Sequence, residues 1–220
     1  YDMDETSNPF RKVKFKREQT DRAFLEIEDI KKIQNLKFKL GSPLFDAREL
    51  FLFECFTGMR ISDILSLKWK NVTDKEITIS MRKTGKPLSI PQSNEAQFIL
   101  NKKRAIMENS SRQITLEKYV FNILKVDVEK VSAQDALNAI SSATAIINRQ
   151  LKIIAEKAGI NKNLSTHVGR HSFATMLVTG DVNLLTVRDL LGHGDVRVTQ
   201  FYARVISKKK EEAINILNNL

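Results

Sequence analysis

Between Ser42-Pro43 and Gly58 lies L-F-D-A-R-E-L-F-L-F-E-C-F-T, a segment so apolar that a helix built from it must be largely buried. Ser-Pro is a good start for that helix, because proline pre-sets the first-turn φ and lacks an N–H that would be orphaned there. Glycine is a good stop. The rest of the chain must therefore be arranged around one central helix. Arg60 follows the stop in T-G-M-R-I-S-D, and Ser62 to Leu67 supports another short helix, which anchors this arginine on backbone between two helices. The single cysteine, Cys55, falls inside the apolar run, so no disulfide framework can form and a buried thiol in a reducing compartment is expected.

Elsewhere the pattern is mostly helical. Ile27, Ile30 and Ile33 recur at helical spacing and predict a short amphipathic helix to about Leu36. The alternation in E-I-T-I-S-M, the turn-prone K-T-G-K and then P-L-S-I-P predict a β-hairpin with Lys83 near its tip. Asn94 to about Met107 reads as helix, and 109 to 132 is ambiguous. Ala133 to Ala158 reads as a long helix with Ile146, Ile147, Leu151, Ile154 and Ala155 on or near one face, closed by Gly159. Ser165 or Thr166 suits the cap of a helix carrying His167 and Arg170 on one face, and Asp181 suits the cap of a helix through Leu191 that Gly192 stops. Trp69 and Tyr119 read as core residues. The expected fold class is α+β, predominantly α-helical with a small antiparallel β-hairpin.

A formal charge of +10 favours a polyanionic partner, with nucleic acid as the first choice over a merely basic protein. No apolar stretch approaches the ~20 residues of a membrane span. Residues 1 to about 22, with Pro9 and the cluster Arg11, Lys12, Lys14, Lys16 and Arg17, read as a basic linker, either solvated surface or a phosphate-tracking strand. The start at Tyr1 suggests a fragment of a longer protein. From Lys208 on, Ala213, Ile214, Leu217 and Leu220 make an apolar stripe that folds back on the core or docks on a neighbouring molecule.

The motifs carry the chemistry. T-H-V-G-R-H-S-F-A-T, L-L-G-H-G-D and F-Y-A-R-V bring His167, Arg170, His193 and Tyr202 into one stretch, with Arg60 upstream. A phenol is almost wholly protonated at neutral pH and needs a base to become a nucleophile; a neutral histidine can serve. Charge developing on a phosphodiester under attack is met well by planar guanidinium groups, which supply paired hydrogen bonds. The leaving oxygen needs a proton, and Lys83 is the candidate donor, although Arg82 and Lys86 flank the same turn. His171 reads as packing or support behind the site.

Taken together, T-G-M-R-I-S-D-I-L-S-L-K-W, the hairpin K-T-G, H-V-G-R-H-S-F-A-T, L-L-G-H and T-Q-F-Y-A-R-V resemble the catalytic domain of tyrosine recombinases, the phage-type integrases, over about residues 22 to 207. The resemblance implies a site-specific recombinase that needs no metal or other cofactor and passes through a 3′-phosphotyrosyl intermediate, for integration or excision of mobile DNA. It implies Tyr202 as nucleophile, His167 as general base, Lys83 as general acid, Arg60, Arg170 and His193 as the phosphate clamp, and Asp63 as a brace. It further implies double-stranded DNA as partner, a tetramer on that DNA, a bacterial cytoplasmic setting, a basic linker at 1–22 leading from a further N-terminal DNA-binding domain, a catalytic domain at 23–207 and a helix at 208–220 exchanged between protomers. Two other readings compete. A type IB topoisomerase shares the chemistry and religates the same strand, and T-G-D-V-N-L-L-T-V-R-D-L-L-G-H also suits a non-enzymatic helix-turn-helix module, which leaves Arg60, Lys83 and Tyr202 without a role.

Overall fold

A computed structural model describes residues 23–109 and 115–193, together with residues 202, 211, 214 and 215. The central element is helix α2 (Pro43–Thr57), entered through Ser42, whose Oγ accepts from the Phe45 N–H at 3.2 Å, and left through Gly58 at φ 63°. Leu50, Phe51, Phe53 and Cys55 on this helix are completely buried. Of its four charged residues Arg48, Glu49 and Glu54 are buried and Asp46, in the first turn, is partly exposed, so little of α2 faces water beyond that turn.

Around it pack α1 (Ile27–Asn35), α3 (Ile61–Leu65), α4 (Asn94–Asn109), α5 (Ala133–Lys157) and α6 (Thr166–Thr179), with α7 (Leu184–Leu191) laid on α6. The only sheet among the described residues is the antiparallel pair β1 (Glu76–Ser80) and β2 (Pro87–Pro91), in register Glu76↔Pro91 to Ser80↔Pro87. Ile77, Ile79, Leu88 and Ile90 supply its buried face, as the alternation requires. The fold class is thus α+β, predominantly helical with one small antiparallel hairpin. Trp69 is buried and its indole N–H points to Met107 Sδ at 3.3 Å. Tyr119 is half-buried, its hydroxyl donating to Asp127 at 2.7 Å. No described helix is long and apolar enough to cross a membrane.

Among the described residues, buried side chains form two apolar clusters. The larger spans α1 to α5 and the hairpin and reaches Val168 in α6; the smaller contains Phe173, Ala174, Val178, Val187, Leu191 and Tyr202. Gly58 sits where they meet. Its φ lies in the left-handed region, and a methyl group there would overlap the Phe173 ring.

Three local expectations need correction. Asp181 does not cap α7: it takes a left-handed φ of 62°, which a short polar side chain tolerates, and the cap falls to Asn183, whose side chain accepts from the Leu185 N–H at 2.8 Å. Ser165 is the N-cap of α6 but makes no side-chain cap bond; Asn148 of α5 instead accepts from the Thr166 N–H at 3.0 Å. Ile146 is exposed on α5 while Ile147, Leu151, Ile154 and Ala155 are buried, because the buried stripe passes on the other side of it. The basic cluster from Arg11 to Arg17 lies outside the described residues. Of the stretch from 208 on, Glu211, Ile214 and Asn215 are described, all helical and exposed.

Replacing Gly58 by alanine should lower stability by at least the ~1–2 kcal/mol of a left-handed Cβ, with the Phe173 overlap added. Denaturant unfolding at constant m-value measures it, and an unchanged midpoint would contradict the close approach.

Candidate active site

A helix C-terminus leaves carbonyl oxygens without intrahelical partners and carries partial negative charge. Two such ends meet here. Helix α2 ends at Gly58 and α7 ends at Gly192, which is also left-handed at φ 59°. Arg170, on α6, is only 8% exposed, and its two terminal nitrogens donate to the carbonyls of Gly58 and Leu191, the latter at 2.6 Å. Arg60, directly after the α2 stop, reaches the next carbonyl along, that of Gly192, at 3.4 Å. Two guanidiniums thus hang from consecutive carbonyls of one helix end. Their proximity is visible in their electrostatics: burial, and then the charge of Arg60, pull the Arg170 guanidinium down to about 10, against the opposing pull of Tyr202, Glu54 and Asp63. It still carries its charge at neutral pH.

Met81, the first residue after β1, ties the hairpin to this pair. Its sulfur accepts from Arg60 Nη1 at 3.0 Å, and Gly192 packs so closely on it that a side chain at 192 would overlap the thioether. Asp63 on α3 makes a second tie, accepting from the Arg82 N–H at 2.9 Å. Burial raises its carboxyl from the usual range, while that N–H and the charges of Arg60, Arg170 and Arg82 oppose the rise. Lys83 follows in the hairpin turn, exposed, two residues beyond Met81. His193 follows Gly192, half-buried, with its N–H on the Arg188 carbonyl at 3.0 Å.

The three remaining residues are arranged less simply. His167 and Arg170 lie one turn apart on α6, yet His167 is exposed while Arg170 turns inward. Tyr202 is 1% exposed within the smaller apolar cluster, and its hydroxyl lies 2.7 Å from Nδ1 of His171. His171, read from sequence as packing or support, is therefore in direct contact with the phenol. Sequence reasoning also passed over Met81, Gly169 and Glu54. Glu54 is fully buried in α2, its carboxyl held well above the usual range by burial, with Arg170 opposing. The one signal for it was an acidic residue in an otherwise apolar run.

The Phage integrase family model matches residues 24–209. The tyrosine recombinase XerD of Rickettsia conorii is 32% identical over 167 residues, covering 72% of this chain and 51% of that protein. A tyrosine recombinase XerC-like protein of Caldanaerobacter subterraneus is 28% identical over 216 residues, covering 88% and 53%. The chain spans about half the length of these curated relatives. Among solved structures, the XerH site-specific recombinase bound to palindromic difH substrate superposes with a TM-score of 0.62 at 24% identity, covering 89% of this chain and 53% of that one. The Tn1549 transposon integrase in complex with transposon right end DNA gives 0.63 at 16% identity, covering 95% and 72%. These two likenesses establish the shared fold.

The buried Glu54 carboxyl makes stability depend on pH with a definite sign. Its folded-state affinity for a proton exceeds that of the unfolded chain, so its contribution is fully present below about pH 4.3 and falls as pH rises toward the folded value, by at most ~1.4 kcal/mol per unit. Glu54→Gln should remove this slope, so that the variant gains on the parent as pH rises from 4.5 to 8 in denaturant titrations. Parallel curves for the two proteins would contradict it.

Proposed function

The chain belongs to the phage integrase family, and from that membership we propose that it cuts and rejoins double-stranded DNA at specific sites through a tyrosine–phosphate ester. The observation that carries the reading is the pair Arg60 and Arg170 hung from consecutive carbonyls at the end of α7, with Tyr202 close enough to Arg170 to act on its charge. An anion meeting both guanidiniums would be held by donors fixed in place before it arrives, the arrangement that lowers the barrier for charge developing on a phosphate.

In the proposed reaction the phosphate sits on Arg60, Arg170 and His193. Tyr202 Oη attacks phosphorus, the bond to the 5′ oxygen breaks, and a 3′-phosphotyrosyl ester remains. His167 takes the phenolic proton and Lys83 gives one to the departing 5′ oxygen, so protons balance. Asp63 holds the hairpin that carries Lys83 against the arginines. Reversal with a different 5′-hydroxyl joins a new strand, and the bond energy stays in the ester throughout. The phenol, buried against His171, must leave that contact before it reaches a duplex phosphate. Its release is a step in its own right.

Integration or excision of a mobile element is the task we favour, supported by the fold shared with a transposon integrase. The palindromic site of the XerH complex suits symmetric assembly, and a tetramer on two duplexes is the assembly proposed for this chain. The basic segment 1–22 would track the DNA backbone, residues 208–220 would dock on a neighbouring protomer, and the setting would be the bacterial cytoplasm.

On a nicked recombination site the chain should form a denaturant-resistant protein–DNA adduct, and Tyr202→Phe should form none. Arg60→Ala should slow adduct formation by roughly 10²–10³. Adduct from Tyr202→Phe at the parent's level would overturn the assignment of the nucleophile. DNA affinity should fall with salt, each phosphate neutralised adding ~0.9 to the log–log slope; a flat response would contradict backbone-dominated binding.

A further inference from the structure

Glu54 is a buried acid to which the proposed reaction gives no role. It is 1% exposed, and its Oε2 has no hydrogen-bond partner among the described residues. A polar atom left so is costly in any fold and calls for a reason in the chemistry nearby.

Its surroundings supply one. Glu54 lies one helical turn before Gly58: the Gly58 N–H donates to the Glu54 carbonyl at 2.8 Å, and the Gly58 carbonyl receives Arg170. Across the contact between α2 and α6 the carboxyl faces Gly169, the residue before Arg170. A Cβ at 169 would fall 2.9 Å from Glu54 Oε2, 3.3 Å from its Cγ and 3.2 Å from the Phe51 ring. Gly169 has an ordinary helical backbone, so conformational freedom does not explain the glycine; the space its missing side chain leaves does. The carboxyl fills that space, and it and the Arg170 guanidinium each act on the other's charge.

We propose that Glu54 and Gly169 are a matched pair that positions Arg170, the carboxyl backing the guanidinium from within the protein so that its remaining N–H edge faces the DNA phosphate. The inference rests on the proposed function and names a positioning residue, since Glu54 touches no reacting atom. The role asked of the carboxyl is shape and polarity in the space beside Gly169. Glutamine at 54 keeps that shape and polarity. Leucine keeps only the volume.

The test compares Glu54→Gln, Glu54→Leu, Gly169→Ala and the double change Glu54→Ser with Gly169→Ala. Single-turnover cleavage of a nicked site by Glu54→Gln should stay within threefold of the parent chain. Glu54→Leu and Gly169→Ala should each lose at least tenfold in rate with DNA affinity changed less than twofold, and the double change should recover most of what Gly169→Ala loses. Rate and affinity falling together, or Glu54→Leu cleaving as fast as the parent, would overturn the proposal. A second readout works without cleavage. The side-chain ¹⁵N–H signal of Arg170, assigned with Arg170→Lys, should exchange slowly in the parent and Glu54→Gln and fast in Glu54→Leu. Slow exchange in Glu54→Leu would refute the positioning role, whereas absence of an adduct from the parent itself would refute the proposed function and leave this readout to decide the role of Glu54.

Discussion

The site depends on carbonyl oxygens that two helices cannot satisfy by themselves. Helices α2 and α7 both stop at left-handed glycines, Gly58 and Gly192, and their ends converge on Arg170 and Arg60. A guanidinium supplies several donors in a rigid plane, so it can satisfy a helix end and keep an edge for a ligand. Ammonium groups lack that division of labour. The negative ends of the two helix dipoles also offset part of the cost of bringing two cations together in a buried place. Once this junction forms, the positions of the neighbouring residues follow: His193 emerges from the α7 stop, and Met81 and Asp63 draw the hairpin turn and Lys83 to the same edge.

The junction also lies on the seam between the two apolar clusters. Arg60 extends from the larger one, Tyr202 is buried in the smaller one, and Arg170 spans both through Gly58 and Leu191. Among the described residues the smaller cluster joins α6 and α7 to Tyr202. The His171 contact holds the phenol in that cluster.

Most elements were legible because each is written locally. Ser42-Pro43 and Gly58 mark the ends of α2, the alternation in E-I-T-I-S-M marks β1, and T-G before Arg60 fixes that residue at a helix stop. What escaped depends on partners far away in sequence. Nothing near Arg170 says that its donors go to Gly58, 112 residues earlier, or that His171 meets Tyr202, 31 residues later. Glu54 left only a faint signal for another reason: a helix buried on nearly every side has no polar face to show which of its acids is functional. The α7 cap slipped because T-G-D-V-N offers two capping side chains, and the left-handed turn at Asp181 leaves Asn183 to do it.

If the two guanidiniums form one anion site while remaining tied to the helix ends, both must meet the same bound phosphate. A crystal structure of the chain with a DNA duplex carrying a vanadate or phosphate at the cleavage position tests it most directly. The expected result is a single tetrahedral or trigonal-bipyramidal centre with oxygens within ~3 Å of both Arg60 and Arg170, and with Arg170 still donating to the carbonyls of Gly58 and Leu191. An anion held by only one of the two, or bound only after Arg170 has left those carbonyls, would contradict it.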